Sequence, residues 1–129
     1  FAKTYGQAKL HGRAVLDSVR ILDNRCVYTV VTTDELKEYG CTVKATDGIV
    51  DQLRIIEGIE IAFLLYQTGN PGEYKVSLRT NSAVDVSRIA QSFGGGGHVK
   101  AAGCTMTGEP QEIVEKISGK IREQWEELK

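Results

Sequence analysis

Between Ser92 and Cys104 the chain reads Ser-Phe-Gly-Gly-Gly-Gly-His-Val-Lys-Ala-Ala-Gly-Cys, with four glycines in succession from Gly94 to Gly97. A backbone without Cβ atoms reaches positive φ freely and lets another molecule come close, at an entropic cost that asks for a reason. A flexible linker is the plain alternative, but such linkers are usually rich in Ser and Thr. Here Ile89-Ala90-Gln91-Ser92-Phe93 ends an apolar-periodic stretch on one side, and His98 with small apolar residues follows on the other. That contrast favours an anion-binding loop. Free N–H groups of a turn would surround a phosphate, and His98 and Lys100 would add side-chain donors. For His98 the competing reading is a histidine that merely closes the loop.

Upstream, Lys75-Val76-Ser77-Leu78-Arg79 alternates apolar and polar residues, which places Lys75, Ser77 and Arg79 on one face of a strand. An arginine fixed on such a strand suits bidentate contact with phosphate. Taken alone, the segment fits a solvated outer sheet face equally well. From Lys75 to Cys104 the cations are Lys75, Arg79, Arg88 and Lys100, against the single acid Asp85. The whole chain carries a formal charge of −1. A local excess of positive charge in such a chain suits a small anion better than a long duplex, which needs a broad basic face.

Phosphodiester hydrolysis commonly needs divalent metal held by clustered Asp and His. The two histidines, His11 and His98, stand far apart, and Asp17, Asp23, Asp34, Asp47, Asp51 and Asp85 are scattered without ligand-type pairing. No catalytic or metal-binding residue is therefore expected in this chain.

Four segments in order carry a family resemblance: Thr46-Asp47-Gly48-Ile49-Val50, then Ile56 to Ala62, then Lys75-Val76-Ser77-Leu78-Arg79, then the Gly-Gly-Gly-Gly-His-x-x-Ala-Ala-Gly string. Together they resemble the C-terminal, substrate-binding domain of DHH-family phosphoesterases. Within that group the chain is most similar to the nanoRNases, oligoribonucleases that also dephosphorylate adenosine 3′,5′-bisphosphate. The resemblance implies that Arg79 holds substrate phosphate with Ser77 beside it, and that Gly95, Gly96, Gly97 and His98 line the nucleotide site. It implies manganese bound by an N-terminal DHH domain of the same polypeptide, which this chain lacks. Short RNA or a nucleotide would be the ligand, the cytoplasm the location, and a homodimer a possible assembly. Two other readings stay open. One is a cyclic or linear dinucleotide phosphodiesterase of the same superfamily. The other is a non-catalytic nucleic-acid or association module like the C-terminal domain of alanyl-tRNA synthetases. The synthetase domains typically carry Arg where His98 stands and an Ala-Gln-Ala-Gly string in place of Ala101-Ala102-Gly103, and both departures favour the phosphoesterases.

The elements that must position these residues follow from periodicity. At 129 residues, with 41% hydrophobic and 26% charged residues, the chain fits one soluble α/β domain. Tyr5 to Leu22 reads as a helix through Val15, Leu16, Val19 and Leu22. Val27 to Val31, Ile59 to Tyr66, Tyr74 to Thr80 and Ala101 to Thr107 read as strands, the second of them central. Thr32 and Glu35 form a capping box before a short helix, Ile49 to Ile56 forms another, and Asp85 caps a helix over Val86 to Phe93. Pro110 opens a final helix with Ile113, Ile117, Ile121 and Trp125 in one stripe. The expected fold is a mixed β-sheet of about five strands with flanking helices.

No apolar run approaches the roughly 20 residues of a membrane span. No signal peptide pattern is visible, the first residue is Phe1 rather than Met, and the chain reads as a piece of something longer. Cys26, Cys41 and Cys104 form no C-x-x-C pair, which fits buried thiols in a reducing compartment. A reactive thiol at Cys104, beside the glycine run, is the competing reading there.

Overall fold

Ile61 to Leu65 are all buried, and they make β3 (Ile61–Gln67) the strand around which the others are laid. An apolar run of this kind has no polar face to offer water and must be covered on both sides. The computed structural model, which describes residues 2–129, covers it that way. β3 pairs in parallel with β2 (Cys26–Val31) and antiparallel with β4 (Glu73–Thr80). With β1 (Val19–Ile21), β5 (Gly96–His98) and β6 (Ala101–Thr107) these strands form one six-stranded mixed sheet in the order β1-β2-β3-β4-β6-β5. The α/β single-sheet architecture is the expected one, with six strands rather than about five. The additions are β1 and β5, edge strands of three residues each.

The parallel β2–β3 pair needs a crossover, supplied by α2 (Thr33–Glu38), a 3₁₀ turn (Val43–Thr46) and α3 (Ile49–Arg54). The expected capping box opens α2: Thr32 Oγ1 accepts from the Glu35 N–H at 3.1 Å, and the Glu35 carboxylate accepts from the Thr32 N–H at 3.0 Å.

One sheet face, bearing Phe63, Leu65, Val76, Leu78 and Cys104, is covered by α4 (Val86–Ser92) and α5 (Pro110–Glu127). The α5 stripe is buried at Ile113, Ile117 and Ile121 and only partly so at Trp125. On the other face α1 (Tyr5–Leu16) and α3 set Leu10, Ala14, Ile49 and Leu53 against Val27, Val31, Ala62 and Leu64. No side chain of β4, β5 or β6 belongs to this second core. On that face the far half of the sheet therefore shows Lys75, Ser77, Arg79, Gly103, Thr105 and His98, all half-buried or exposed.

The first helix departs from expectation. It ends at Leu16 rather than Leu22, and Val19–Ile21 pairs with β2 as a hairpin strand. Leu22, Asp23 and Asn24 all adopt left-handed φ, of 55°, 59° and 60°. Asp and Asn tolerate that region better than most residues, so a turn forms where helical spacing alone would continue. The buried side of α1 is Leu10, His11 and Ala14, while Leu16 is 79% exposed.

Candidate phosphate-binding site

Strand pairing brings much of the expected site onto the open half of the sheet. Ser77 of β4 stands opposite Gly103 of β6, which stands opposite Gly96 of β5. In the next such row Arg79, Ala101 and His98 are aligned. Directly opposed residues share a face, so Ser77, Arg79, Gly96 and His98 point the same way. Arg79 and His98 lie two strands apart, about 10 Å at ordinary strand spacing.

At the Arg79 end of this face lies an open cleft of about 460 Å³ lined by Asp51, Arg54, Arg79, Thr80, Asn81, Lys100 and Ala101. The Arg79 Nε donates to Asp51 Oδ1 at 3.2 Å, and its Nη1 donates to the Leu78 carbonyl at 3.0 Å. These two bonds fix the guanidinium plane and leave its remaining N–H donors for a ligand. The same Asp51 Oδ1 accepts from Arg54 Nε at 3.3 Å. Asn81 Nδ2 ties the end of α3 to the sheet by donating to the carbonyls of Arg54 at 2.7 Å and Ile59 at 3.1 Å. Lys100 Nζ donates to the Ser82 carbonyl at 2.9 Å. Its backbone carbonyl accepts from the Thr80 N–H at 3.1 Å, which holds the β5–β6 turn against the end of β4. Three cations thus share the cleft with one carboxylate.

The four glycines divide by role. Gly94, at φ +85°, follows the last turn of α4, and its N–H bonds to the Gln91 carbonyl. The Gly95 N–H bonds to the Ala90 carbonyl at 2.8 Å. A Cβ on Gly95 would lie 2.1 Å from the Gly103 carbonyl oxygen, and one on Gly97 would lie 2.6 Å from Ala102 Cα. A Cβ on Gly96 would meet nothing within 4 Å. The run is therefore not a linker, and in place of the loop of free N–H groups that the sequence suggests it forms a helix end and an edge strand. Gly94 and Gly95 spend their N–H groups closing α4, and Gly96, Gly97 and His98 form the edge strand β5. Gly95 and Gly97 belong to strand packing. Gly96 and the exposed His98 remain on the open face.

Two residues change places relative to the sequence reading. Arg88 points away from the site and forms a fork with Glu127, at 3.0 and 3.1 Å. Arg54, which the sequence reading passed over, lines the cleft instead. His11 is buried and structural: its Nε2 lies 2.6 Å from the Ala45 carbonyl, and its Nδ1 lies 2.6 Å from the Gln52 amide nitrogen and 3.1 Å from Lys3 Nζ. Burial, and to a lesser degree Lys3, lowers its pKa against the opposing pull of the Ala45 hydrogen bond. Cys104 is 8% exposed, and burial raises its thiol pKa, so it is a packed thiol rather than a nucleophile. Among the described residues no three His, Cys, Asp or Glu side chains come together as metal ligands would, so these residues do not fit a catalytic manganese site. Among them, too, no helix is long and apolar enough to cross a membrane.

The sequence and the fold have counterparts in known proteins. Residues 23–126 match the DHHA1 domain family, and the chain belongs to that family. It is 31% identical over 96 residues to the bifunctional oligoribonuclease and PAP phosphatase NrnA of Thermus thermophilus, covering 74% of this chain and 29% of that protein. Over 43 residues it is 54% identical to the oligoribonuclease NrnB of Bacillus subtilis, covering 33% of this chain and 11% of that one. In three dimensions it resembles an exopolyphosphatase-related protein from Bacteroides fragilis, with a TM-score of 0.85 and 20% identity over 95% of this chain and 36% of that one. That structural likeness shows the shared fold. The chain thus spans less than a third of the length of either curated relative.

Proposed function

We propose that this chain is the substrate-binding part of a metal-dependent phosphoesterase of the DHH group, acting on short oligoribonucleotides or adenosine 3′,5′-bisphosphate. Arg79 holds a substrate phosphate, Ser77 and His98 contact the nucleotide along the open face, and Gly96 leaves room for it. Gly95 and Gly97 contribute by letting β5 lie against β6. The metal ligands and the manganese they hold belong to an N-terminal DHH domain of the same polypeptide, which closes over this face.

One observation carries the reading. A sheet covered on one side by α4 and α5 leaves half of its other side open, and that half bears Arg79 beside a cleft rich in cations. A lone sheet face that only met solvent would have no need of a guanidinium braced by Asp51 and the Leu78 carbonyl. Similarity to an oligoribonuclease and PAP phosphatase supports the substrate class. The test is titration of adenosine 3′,5′-bisphosphate and of a diadenylate into the parent and Arg79→Ala chains. A charge-assisted phosphate contact contributes roughly 1.5–3 kcal/mol, so the variant is expected to bind about ten- to a hundredfold more weakly with its fold intact. Unchanged affinity in a folded variant removes Arg79 from the site.

A further inference from the structure

Tryptophan occurs once in the chain, at position 125 near the end of α5. Its ring lies under a guanidinium, with Arg25 Cζ 3.6 Å from the ring centroid. At that distance an edge-on approach would drive a nitrogen into the ring, so the two planes meet face to face. The Arg25 Nε and Nη2 donate to the two carboxylate oxygens of Glu60, the second at 3.1 Å. One face of the guanidinium is thus on the indole and one edge on Glu60, yet the Arg25 side chain remains 42% exposed. The Trp125 ring N–H is buried without a hydrogen-bond partner, a cost that phenylalanine would avoid. The indole is therefore kept for the broad face it gives Arg25. The chain also reaches Arg25 through the left-handed turn of Leu22, Asp23 and Asn24, a conformation that is costly for Leu22.

This stack stands at the same end of the sheet as the cleft. The Glu60 N–H donates to the Arg25 carbonyl and the Asn81 N–H to the Glu60 carbonyl, both at 2.7 Å. Asn81 lines the cleft, so Arg25 lies two strands from it, about 10 Å away. A hollow of about 280 Å³ bounded by Ser82, Ala83, Val84, Arg25 and Trp125 begins where the cleft residues Thr80 and Asn81 end. Around the stack the charges balance, Arg25, Arg122 and Lys129 against Asp23, Glu60 and Glu126. Nothing there favours a phosphate. What is offered is a flat, fixed and exposed guanidinium, a surface on which the bases of single strands stack. From this we infer that Arg25 on Trp125 is a platform for a nucleobase, taking a further nucleotide of a strand whose phosphate lies at Arg79. The inference rests on the reading of Arg79 as a phosphate-binding residue and deepens it, since the ligand becomes a single strand that crosses Asn81 rather than a mononucleotide.

The experiment measures the affinity of this chain for adenosine 3′,5′-bisphosphate, for the trinucleotide pApApA, and for two analogues of equal charge. One analogue lacks the base of its first nucleotide, the other that of its third. In the parent, loss of one of these bases is expected to cost about fivefold or more, and which base it is gives the direction of the strand. That cost is expected to vanish in Arg25→Ala and in Arg25→Lys, which keeps the charge but not the plane. Fluorescence of the single tryptophan should change when pApApA binds and not when the bisphosphate does. Equal affinity of the parent for all three trinucleotides, or a base cost that persists in both Arg25 variants, overturns the inference. So does an equal loss of affinity for the bisphosphate and for pApApA in Arg25→Lys, which would make Arg25 a support of the fold alone. Arg79→Ala separates the two levels. If it weakens the bisphosphate and pApApA alike while the parent shows no base cost, the phosphate-binding reading stands and the platform fails. If it weakens neither, or if no ligand binds the parent at millimolar concentration, both fail.

Discussion

Gly96 differs from its neighbours in what a side chain there would meet. Alanine at Gly95 or Gly97 would push a methyl group into the backbone of β6, at 2.1 Å from the Gly103 oxygen or 2.6 Å from Ala102 Cα. At Gly97 the φ of +144° adds strain for any L-residue. Overpacking of this sort costs about 1–3 kcal/mol, so Gly95→Ala and Gly97→Ala should each lower Tm by several degrees in a thermal melt. Gly96→Ala should leave Tm unchanged. Since Gly96 lies on the open face proposed to take the ligand, Gly96→Val should weaken dinucleotide binding more than Gly96→Ala does. Equal binding by both variants would mean that nothing passes over this position. The sequence shows where Cβ atoms are missing but not what approaches the gap, which is why the run reads there as a loop and folds as an edge strand. The face on which Arg79 stands was legible from alternation in β4. Arg54 was not, because a cation in the last turn of a helix already has an ordinary reason to be there.

Among the elements, those with local signals were readable and those fixed by partners were not. The Thr32 box, the Asp85 cap and the isoleucine stripe of α5 each follow from residues within a turn or two of one another. The β1 hairpin depends on three residues accepting left-handed φ, and that competes with a helical spacing that looks equally good in one dimension. β5 exists only because β6 lies beside it. The position of α3 matters most for the site, since it brings Asp51 and Arg54 to the cleft. His11 of α1 helps to hold it there through Gln52, and through Ala45 in the preceding turn. Its Nε2–H donates to a carbonyl, so Nδ1 must accept from the Gln52 amide, and protonation of Nδ1 would remove that acceptor. The folded-state pKa of His11 is lowered, so its contribution to stability is complete above the unfolded value near 6.5 and is lost as pH falls through the folded value. Melts at about pH 7.5 and 5.5 should show a loss of Tm in the parent that is smaller in His11→Gln. An equal loss in both would place the titrating group elsewhere.

At the scale of the molecule, the sheet has one finished face and one half-finished face, and under the proposed function that asymmetry separates binding from chemistry. The packed half gives the chain a core of its own, with β3 buried on both sides, so it should fold without help. The open half bears the cations Arg54, Arg79 and Lys100 at its cleft, and among the described residues no group of carboxylates and histidines stands together as metal ligands would. The fold class was legible from the alternation of strands and helices. The openness of one half-face was not, since polar residues on β4 look the same whether they meet solvent, a ligand or another domain. The purified chain should therefore bind adenosine 3′,5′-bisphosphate without hydrolysing it, even with manganese added. Binding should weaken as salt rises from about 50 to 200 mM, because charge on Arg54, Arg79 and Lys100 supplies most of the attraction. Calorimetric titration at the two salt concentrations checks the first part, and release of phosphate from the same sample with added manganese checks the second. Binding indifferent to salt would contradict an electrostatic site. Metal-dependent phosphate release that disappears in Arg79→Ala would show that this chain carries chemistry as well as recognition.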